Sequence, residues 1–223
     1  MILALETATE ICSVAYKDRQ GTVHERRTDE KGSHSENLFL FVEELMAKHR
    51  FAVTDLDAVL VSEGPGSYTG LRIGASAVKG LLFQARTPLY GIATLAGFAR
   101  SAVAADDGTP GNGSIHAVID ARRVHLYHQK FNYHDGRLTA DTKTAILPIE
   151  EVHEMIRKGD RMIGTGIDRL NRDALGMLRV FGENHISARS LVALFEQRES
   201  PFVKERSPES FDPKYYSSRQ VGG

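Results

Sequence analysis

The two halves of the chain begin with the same succession of elements, and this succession constrains the fold more than any other feature. In the first half, an apolar run predicts a strand that ends at Glu6, and a short turn leads to a second predicted strand at residues 11–16. In the second half, a predicted strand at 115–119 ends at Asp120, and another follows at 124–130. Such a recurrence can arise by chance; as a duplication, it predicts two similar α/β lobes with a cleft between them.

Composition excludes several classes of protein. The 223 residues include 28 Lys and Arg and 29 Asp and Glu, which argues against a basic nucleic-acid-binding domain or a polybasic membrane binder. The single cysteine, Cys12, excludes intramolecular disulfides and cysteine-based zinc sites. Residues 1–6 have no basic leader pattern, and no apolar run approaches the ~18 residues that a membrane span needs. We therefore expect a cytoplasmic protein with no membrane partner.

A loop rich in glycine and proline, residues 106–113, divides the chain. It predicts a boundary between an N-terminal lobe at 1–105 and a C-terminal lobe at 106–223. The last predicted helix, 186–199, is expected to pack back on the first lobe. The tail from Pro201 is expected to be mostly irregular.

The stretch 62–74 lies where a predicted strand passes into a predicted helix at about 68–85. It is not a P-loop, because no glycine is followed by Lys and then Ser or Thr. It is not a dinucleotide fingerprint, because Thr69 stands where that motif has glycine and the next acid after Glu63 is Asp106. A simpler anion site at the helix N-terminus remains, formed by backbone N–H groups and the hydroxyls of Ser67 and Thr69.

Small residues recur along one face of this predicted helix. Gly66, Gly70 and Gly74 stand four residues apart, and Ala77 continues the line. Such a face lets another surface approach closely, either the protein's own sheet or a partner. A second helical face can serve the core, and it comprises Leu71, Ala75, Val78 and Leu82. We therefore expect the glycine face, with Ile73 and Leu81, to meet a partner.

No catalytic pattern is complete. His153 is followed four residues later by Arg157, where a zinc protease has its second histidine. His125 and His128 are three apart on a predicted strand and so point to opposite faces. Asp120 and the two arginines after it form either an anion site or a solvated hairpin turn. We expect no catalytic residue in this chain.

Four segments together resemble the TsaB family, the dimerisation subunit of bacterial threonylcarbamoyladenosine synthesis on tRNA. They are residues 1–10, 34–36, 64–74 and 119–122, and residues 212–216 resemble a loose form of the family's closing segment. The resemblance implies an actin-like ATPase (ASKHA, RNase H-like) α/β fold of two similar lobes.

The resemblance also implies a function. The chain would be a non-catalytic scaffold and activating subunit for TsaD. With the ATPase TsaE, the complex would use ATP to form N6-threonylcarbamoyladenosine at position 37 of tRNAs that read ANN codons. The chain alone would form a homodimer and would meet tRNA only through the complex. The alternatives are an ATP-hydrolysing actin-like enzyme and a glycoprotease-type peptidase.

The family pattern can be tested against the residues that would bind a metal or a nucleotide. His34 is followed at the required spacing by Leu38 instead of the second histidine of a TsaD-type site, so we expect no metal. The actin-like phosphate turn has Asp-x-Gly-Thr/Ser, but here Glu6 is longer than aspartate and Ala8 replaces the turn glycine. We therefore expect no tightly bound cofactor. The weak candidates for nucleotide contact are Glu6, Thr7, Ser67 and Thr69.

The resemblance places the pairing surface on the helix after residue 66 and on the helix that begins near His34. Residues 64–105 contain four basic residues and no acid, and charge depletion is typical of interface cores. The expected interface residues are Gly66, Gly70, Arg72, Ile73, Gly74, Ala77, Leu81, Leu38 and Phe41.

Overall fold

Two mixed β-sheets and six α-helices make up most of the chain that the computed structural model describes. The described residues are 1–30, 32, 34–106, 111–197 and 200–216. The strands are β1 Ile2–Glu6, β2 Cys12–Lys17, β3 Val23–Thr28, β4 Ala58–Ser62, β5 Leu89–Ile92, β6 Gly113–Asp120, β7 His125–His134, β8 Arg137–Ala140, β9 Ala145–Pro148, β10 Arg161–Gly164, β11 Arg179–Phe181 and β12 Val203–Arg206. The helices are α1 His34–His49, α2 Tyr68–Leu81, α3 Thr94–Ala105, α4 Ile149–Met155, α5 Arg172–Met177 and α6 Arg189–Glu196.

The two sheets have a similar strand arrangement around their first strands, as the repeated order of predicted elements in the two halves indicates. The first has the order β12-β5-β4-β1-β2-β3, and the second has the order β11-β10-β6-β7-β8, with β9 also paired to β7. In each sheet, the first strand of the half lies beside an antiparallel hairpin partner, β2 or β7, and beside a parallel strand, β4 or β10. Parallel pairing requires a crossover, which places helices over the sheet faces and explains the apolar runs of β1 and β4.

The elements stack in five layers. Helices α1 and α2 cover the outer face of the first sheet, where Leu3, Leu5 and Val61 are fully buried. Helices α3 and α6 lie between the two sheets in a core that includes Leu95 and Leu191. Helices α4 and α5 cover the outer face of the second sheet. The last helix thus contacts β1, β2 and β4 of the first sheet.

Helix α2 differs from the sequence prediction at its end. Helix α2 stops at Leu81 rather than near residue 85, and Gln84 just beyond it has a left-handed φ of 61°. Ser67 caps its start, because its hydroxyl accepts a hydrogen bond from Gly70 N at 3.3 Å.

The sequence predicts a mostly irregular tail, but the structure places a strand in it. Strand β12 pairs antiparallel with β5 and becomes the edge of the first sheet. Its residues are mostly polar, so the strand has no apolar alternation that would have revealed it. Tertiary pairing to β5 decides its conformation, and the end of the chain returns to the first lobe.

Within the described residues, every helix is too short or too polar to cross a bilayer.

Candidate functional site

The turn after β1 is closed and buried. Glu6 is 1% exposed, and its Oε1 accepts a hydrogen bond from Ala8 N at 2.7 Å. Burial raises the pKa of Glu6 to about 7, against the lowering effect of this hydrogen bond. A carboxyl group with such a pKa is only partly ionised at neutral pH, which weakens it as a ligand for a cation. Glu6 thus differs chemically from the ionised aspartate of an actin-like phosphate turn.

The glycine face of α2 packs on this turn. A Cβ added at Gly70 would overlap the carbonyl oxygen of Thr7, and one at Gly74 would lie 2.6 Å from Thr7 Oγ1. A Cβ at Gly66 would lie 2.5 Å from the carbonyl oxygen of Ala8. The expectation that these three glycines meet a partner is therefore wrong, because the protein's own turn already occupies the space.

Two further residues predicted for the interface are also buried. Ala77 and Leu38 have no exposed surface and belong to the core between the first sheet and its outer helices. Their placement follows from the helical spacing that each shares with core residues on the same helix. By contrast, Arg72 is exposed, and Ile73, Leu81 and Phe41 are half-buried at the edge of that core.

The outward face of α1 and α2 carries apolar side chains that the sequence analysis did not select. The exposed fractions are 43% for Phe39, 52% for Leu40 and 56% for Tyr68. A groove of about 370 Å³ runs between the two helices, and its walls include Ser35, Phe39, Tyr68, Thr69, Arg72, Ile73 and Ser76. The available signal was the run of five apolar residues 38–42, since five consecutive positions cannot all face one side of a helix.

The turn after β6 opens into the cleft between the lobes. Asp120 Oδ1 accepts a hydrogen bond from Arg122 N at 2.7 Å, and Asp120 also forms an ion pair with Arg169. The cleft has a volume of about 660 Å³. Ser67 and Thr69 line it, whereas Glu6 and Thr7 are buried outside its lining. The structure thus brings only two of the four weak nucleotide candidates to the cleft surface.

His34 serves the packing of α1. It is buried, and its Nε2 lies 3.2 Å from the carbonyl oxygen of Ile11, so this nitrogen must donate. The next helical turn on the same face presents Leu38, as the sequence showed. Across the described residues, no group of three or more His, Cys, Asp or Glu side chains is arranged to hold a metal ion.

A buried chain of three titratable residues in the second lobe was missed from sequence. His116 Nδ1 lies 2.9 Å from His128 Nε2, and His116 Nε2 lies 3.1 Å from Asp160 Oδ2. Burial, with a smaller contribution from His116, lowers the pKa of His128 to about 3, and burial also lowers the pKa of His116. The three residues lie on β6, on β7 and just before β10, so linear spacing contained no signal for this cluster.

The sequence and the fold match characterised proteins. The profile of the family described as "TsaD: tRNA N6-adenosine threonylcarbamoyltransferase" matches residues 16–181. The Escherichia coli protein named tRNA threonylcarbamoyladenosine biosynthesis protein TsaB is 32% identical over 169 residues, covering 74% of this chain and 71% of that protein. The Bacillus subtilis protein of the same name is 28% identical, covering 73% and 68%. The solved structure of YeaZ from Pseudomonas aeruginosa has a TM-score of 0.78 at 27% identity and covers 96% of this chain and 99% of its own.

These matches confirm the resemblance drawn from the segments near Glu6, Gly70 and Asp120. The two-lobed α/β architecture is the actin-like, RNase H-like fold. This chain therefore belongs to the TsaB family.

Proposed function

We propose that this chain is a non-catalytic scaffold and activating subunit for TsaD. The product of the complex is N6-threonylcarbamoyladenosine at position 37 of tRNAs that read ANN codons. The relatives named TsaB support the pathway, because their name states threonylcarbamoyladenosine biosynthesis on tRNA. The observation that carries the scaffold role is the exposed apolar groove between α1 and α2. Solvent-exposed aromatic and aliphatic side chains around one groove are typical of a protein-binding surface.

The partner of this groove is TsaD, and TsaE joins as the ATPase of the complex. The charges around the groove also support a homodimer when the chain is alone. Helix α1 exposes Glu36 and Glu43, and α2 exposes Arg72 and Lys79. A two-fold arrangement with α1 of one copy against α2 of the other brings opposite charges together.

We propose that the chain binds no nucleotide tightly, that ATP is used by the complex, and that tRNA is reached only through it in the cytoplasm. Two observations at the turn after β1 support this proposal. Glu6 is buried with a pKa raised to about 7, which weakens it as a ligand for a bound cation, and α2 packs directly on Thr7 and Ala8. The net charge of −1 also disfavours unaided RNA binding.

The test is reconstitution with TsaD and TsaE from the same organism, supplied with tRNA, ATP and an activated threonylcarbamoyl donor. Co-purification measures pairing, and mass spectrometry of digested tRNA measures the modified nucleoside with and without this chain. We expect pairing, and modification only when this chain is present. TsaD and TsaE that modify tRNA equally well without this chain would refute the activating role.

A matched pair of variants locates the surface. Phe39 and Val180 are equally exposed, at 43% and 44%, but only Phe39 borders the groove. We expect Phe39→Glu to lose pairing with TsaD and Val180→Glu to retain it, because a charge in an apolar interface core is desolvated without a partner. If the two variants pair with TsaD equally well, the groove is not the pairing surface.

The interlobe cleft favours one second candidate, an ATP-hydrolysing actin-like enzyme. Calorimetry with ATP and magnesium tests it directly on the isolated chain. Binding at micromolar concentration that is lost with Thr69→Val, a residue of the cleft lining, would support this candidate. The peptidase alternative gains no such support, since the His116, His128 and Asp160 chain is buried.

A further inference from the structure

The C-terminal segment, residues 211–216, packs against the turn before α2 and the start of this helix. Phe211 is 3% exposed and lies in the core beneath α1 and α2. Lys214 N donates a hydrogen bond to the carbonyl oxygen of Glu63 at 2.6 Å, and Lys214 Nζ forms an ion pair with the Glu63 carboxylate. Glu63 is 2% exposed and also accepts from Arg206 at 2.7 Å and 3.0 Å. Charge-assisted bonds to a buried carboxylate fix the path of this segment.

The backbone contact explains a glycine of the 62–74 stretch. A Cβ added at Gly64 would overlap the carbonyl oxygen of Lys214, and Gly64 itself has a φ of 115°. Residue 64 must therefore be glycine for two reasons, the close approach of the Lys214 carbonyl oxygen and the positive φ. The turn that precedes α2 thus provides the surface on which the C-terminal segment packs.

The segment ends in a cluster on the outward face of α2, which we name the tyrosine–arginine cluster and define as Tyr68, Arg72 and Tyr215. The Arg72 guanidinium carbon lies 4.3 Å from the centroid of the Tyr68 ring. Arg72 Nε donates to the Tyr215 hydroxyl at 3.3 Å, and the rings of Tyr68 and Tyr215 have centroids 5.1 Å apart. Each member thus contacts the other two.

The tyrosine–arginine cluster borders the groove and remains open to solvent. Tyr68 and Arg72 are part of the groove wall, and Tyr68 and Tyr215 are 56% and 38% exposed. A free arginine side chain loses considerable rotamer entropy when it is fixed in an interface, and contacts that already hold it reduce that cost. Tyrosine and arginine are also enriched among the residues that dominate binding energy.

We propose that the C-terminal segment is part of the pairing surface, with Tyr215 acting as a positioning residue that holds Arg72 and Tyr68 in the conformation that the partner meets. This inference rests on the proposed function and names a second region of the chain that the pairing surface requires. Only Arg72 Nε is engaged by Tyr215, and across the described residues neither Nη group makes a hydrogen bond or ion pair. We therefore expect the partner to present an apolar surface with an acceptor, a carboxylate or a carbonyl oxygen, opposite Arg72.

The experiment measures the Kd of the full-length chain for TsaD by calorimetry. We expect Tyr215→Ala to weaken pairing about tenfold or more, and Tyr215→Phe, which keeps the ring contact, to weaken it about threefold. The matched control is Tyr216→Phe, which removes the neighbouring hydroxyl in the same segment and should leave Kd unchanged. Circular dichroism checks that each variant is folded.

A double-mutant cycle separates positioning from general stability. If Tyr215 acts through Arg72, then Tyr215→Phe in an Arg72→Ala background should add no further loss of affinity. Additive losses, or a Tyr215→Ala variant that is folded and binds within about twofold of the wild type, would overturn the inference while leaving the proposed function intact. A wild-type chain that does not bind TsaD would instead refute the proposed function.

Discussion

The turn after β1 and the turn after β6 share one local hydrogen bond but have opposite surroundings. In each, the acid at the end of the strand accepts a hydrogen bond at 2.7 Å from the backbone N–H two residues later, Ala8 for Glu6 and Arg122 for Asp120. Yet Glu6 is 1% exposed, whereas the Asp120 side chain is 43% exposed and paired with Arg169. Local sequence specifies the turn, and what packs on the turn decides its chemistry.

The difference arises from the element that follows the parallel partner strand. In the first lobe, β4 leads through the Gly64–Gly66 turn into the 14-residue α2, whose glycine face covers the first turn. In the second lobe, β10 is followed by a single 3-10 turn and the six-residue α5. Asp120 N instead donates to the Thr165 hydroxyl at 2.8 Å, and the turn stays open to the cleft.

The largest effect should come from filling the contact between α2 and the first turn. Gly70→Ala would place a Cβ on the Thr7 carbonyl oxygen, and we expect it to destabilise the fold by about 3 kcal/mol. The matched control is Gly80→Ala on the same helix, where a Cβ meets nothing within 4 Å. That variant should be neutral or stabilised by up to about 1 kcal/mol. Urea unfolding measures both, and similar free energies of unfolding for the two variants would contradict the packing described here.

The second prediction concerns the first turn and the pH range between about 4.5 and 7. Glu6 has a folded pKa of about 7 and an unfolded value near 4.5, so between these values the folded state holds a proton that the unfolded state lacks. Stability should therefore fall as pH rises through this window. Glu6→Gln removes the effect, and its advantage over the wild type should grow by on the order of 2 kcal/mol between pH 5 and pH 8.

The corresponding change in the second turn is the control. Asp120→Asn removes an ion pair at a partly exposed site, so we expect a change of less than about 1 kcal/mol. Thermal melts of both variants across the pH range give the comparison. If Asp120→Asn shows the same pH-dependent gain as Glu6→Gln, burial is not what distinguishes the two acids.

The third prediction concerns His128 in the second lobe, where stability should fall as pH drops instead of as it rises. His128 stays neutral in the folded state down to a pKa of about 3, whereas an unfolded histidine takes up a proton below about pH 6.5. Stability should therefore fall as pH drops below 6.5, by about 1.4 kcal/mol per pH unit for one proton. His128→Gln should flatten this dependence, while His134→Gln, at a 71% exposed position on the same strand, should not. An unchanged slope in His128→Gln would assign the acid sensitivity to other groups.

The fold was largely accessible from sequence, for reasons visible in particular elements. The strands that end at Glu6 and Asp120 contain apolar runs. In α1 and α2, apolar residues recur at helical spacing. Strand β12 was missed because its polar residues make it a strand only through pairing with β5. The terminal part of α2 was overextended because its residues are good helix formers, and nothing in their spacing marks the end.

The candidate site was less accessible. The spacing of Gly66, Gly70 and Gly74 correctly indicated a close approach, but it could not say what approaches. The exposed Phe39 and Tyr68 were passed over because an apolar residue on a helix is usually assigned to the core. The contact between Tyr215 and Arg72 joins residues 143 positions apart, and no spacing rule reaches that far.

By itself, the sequence determined the family, the two α/β halves, the two acid turns and the helix on which small residues line one face. These features depend on local periodicity, turn chemistry and motif order. Only the tertiary structure decided that the glycine face points inward, that Glu6 is buried while Asp120 is open, and that residues 211–216 return to α2. Each of these outcomes depends on which surfaces meet across the fold, and burial, pKa and exposure have no value until those surfaces are in contact.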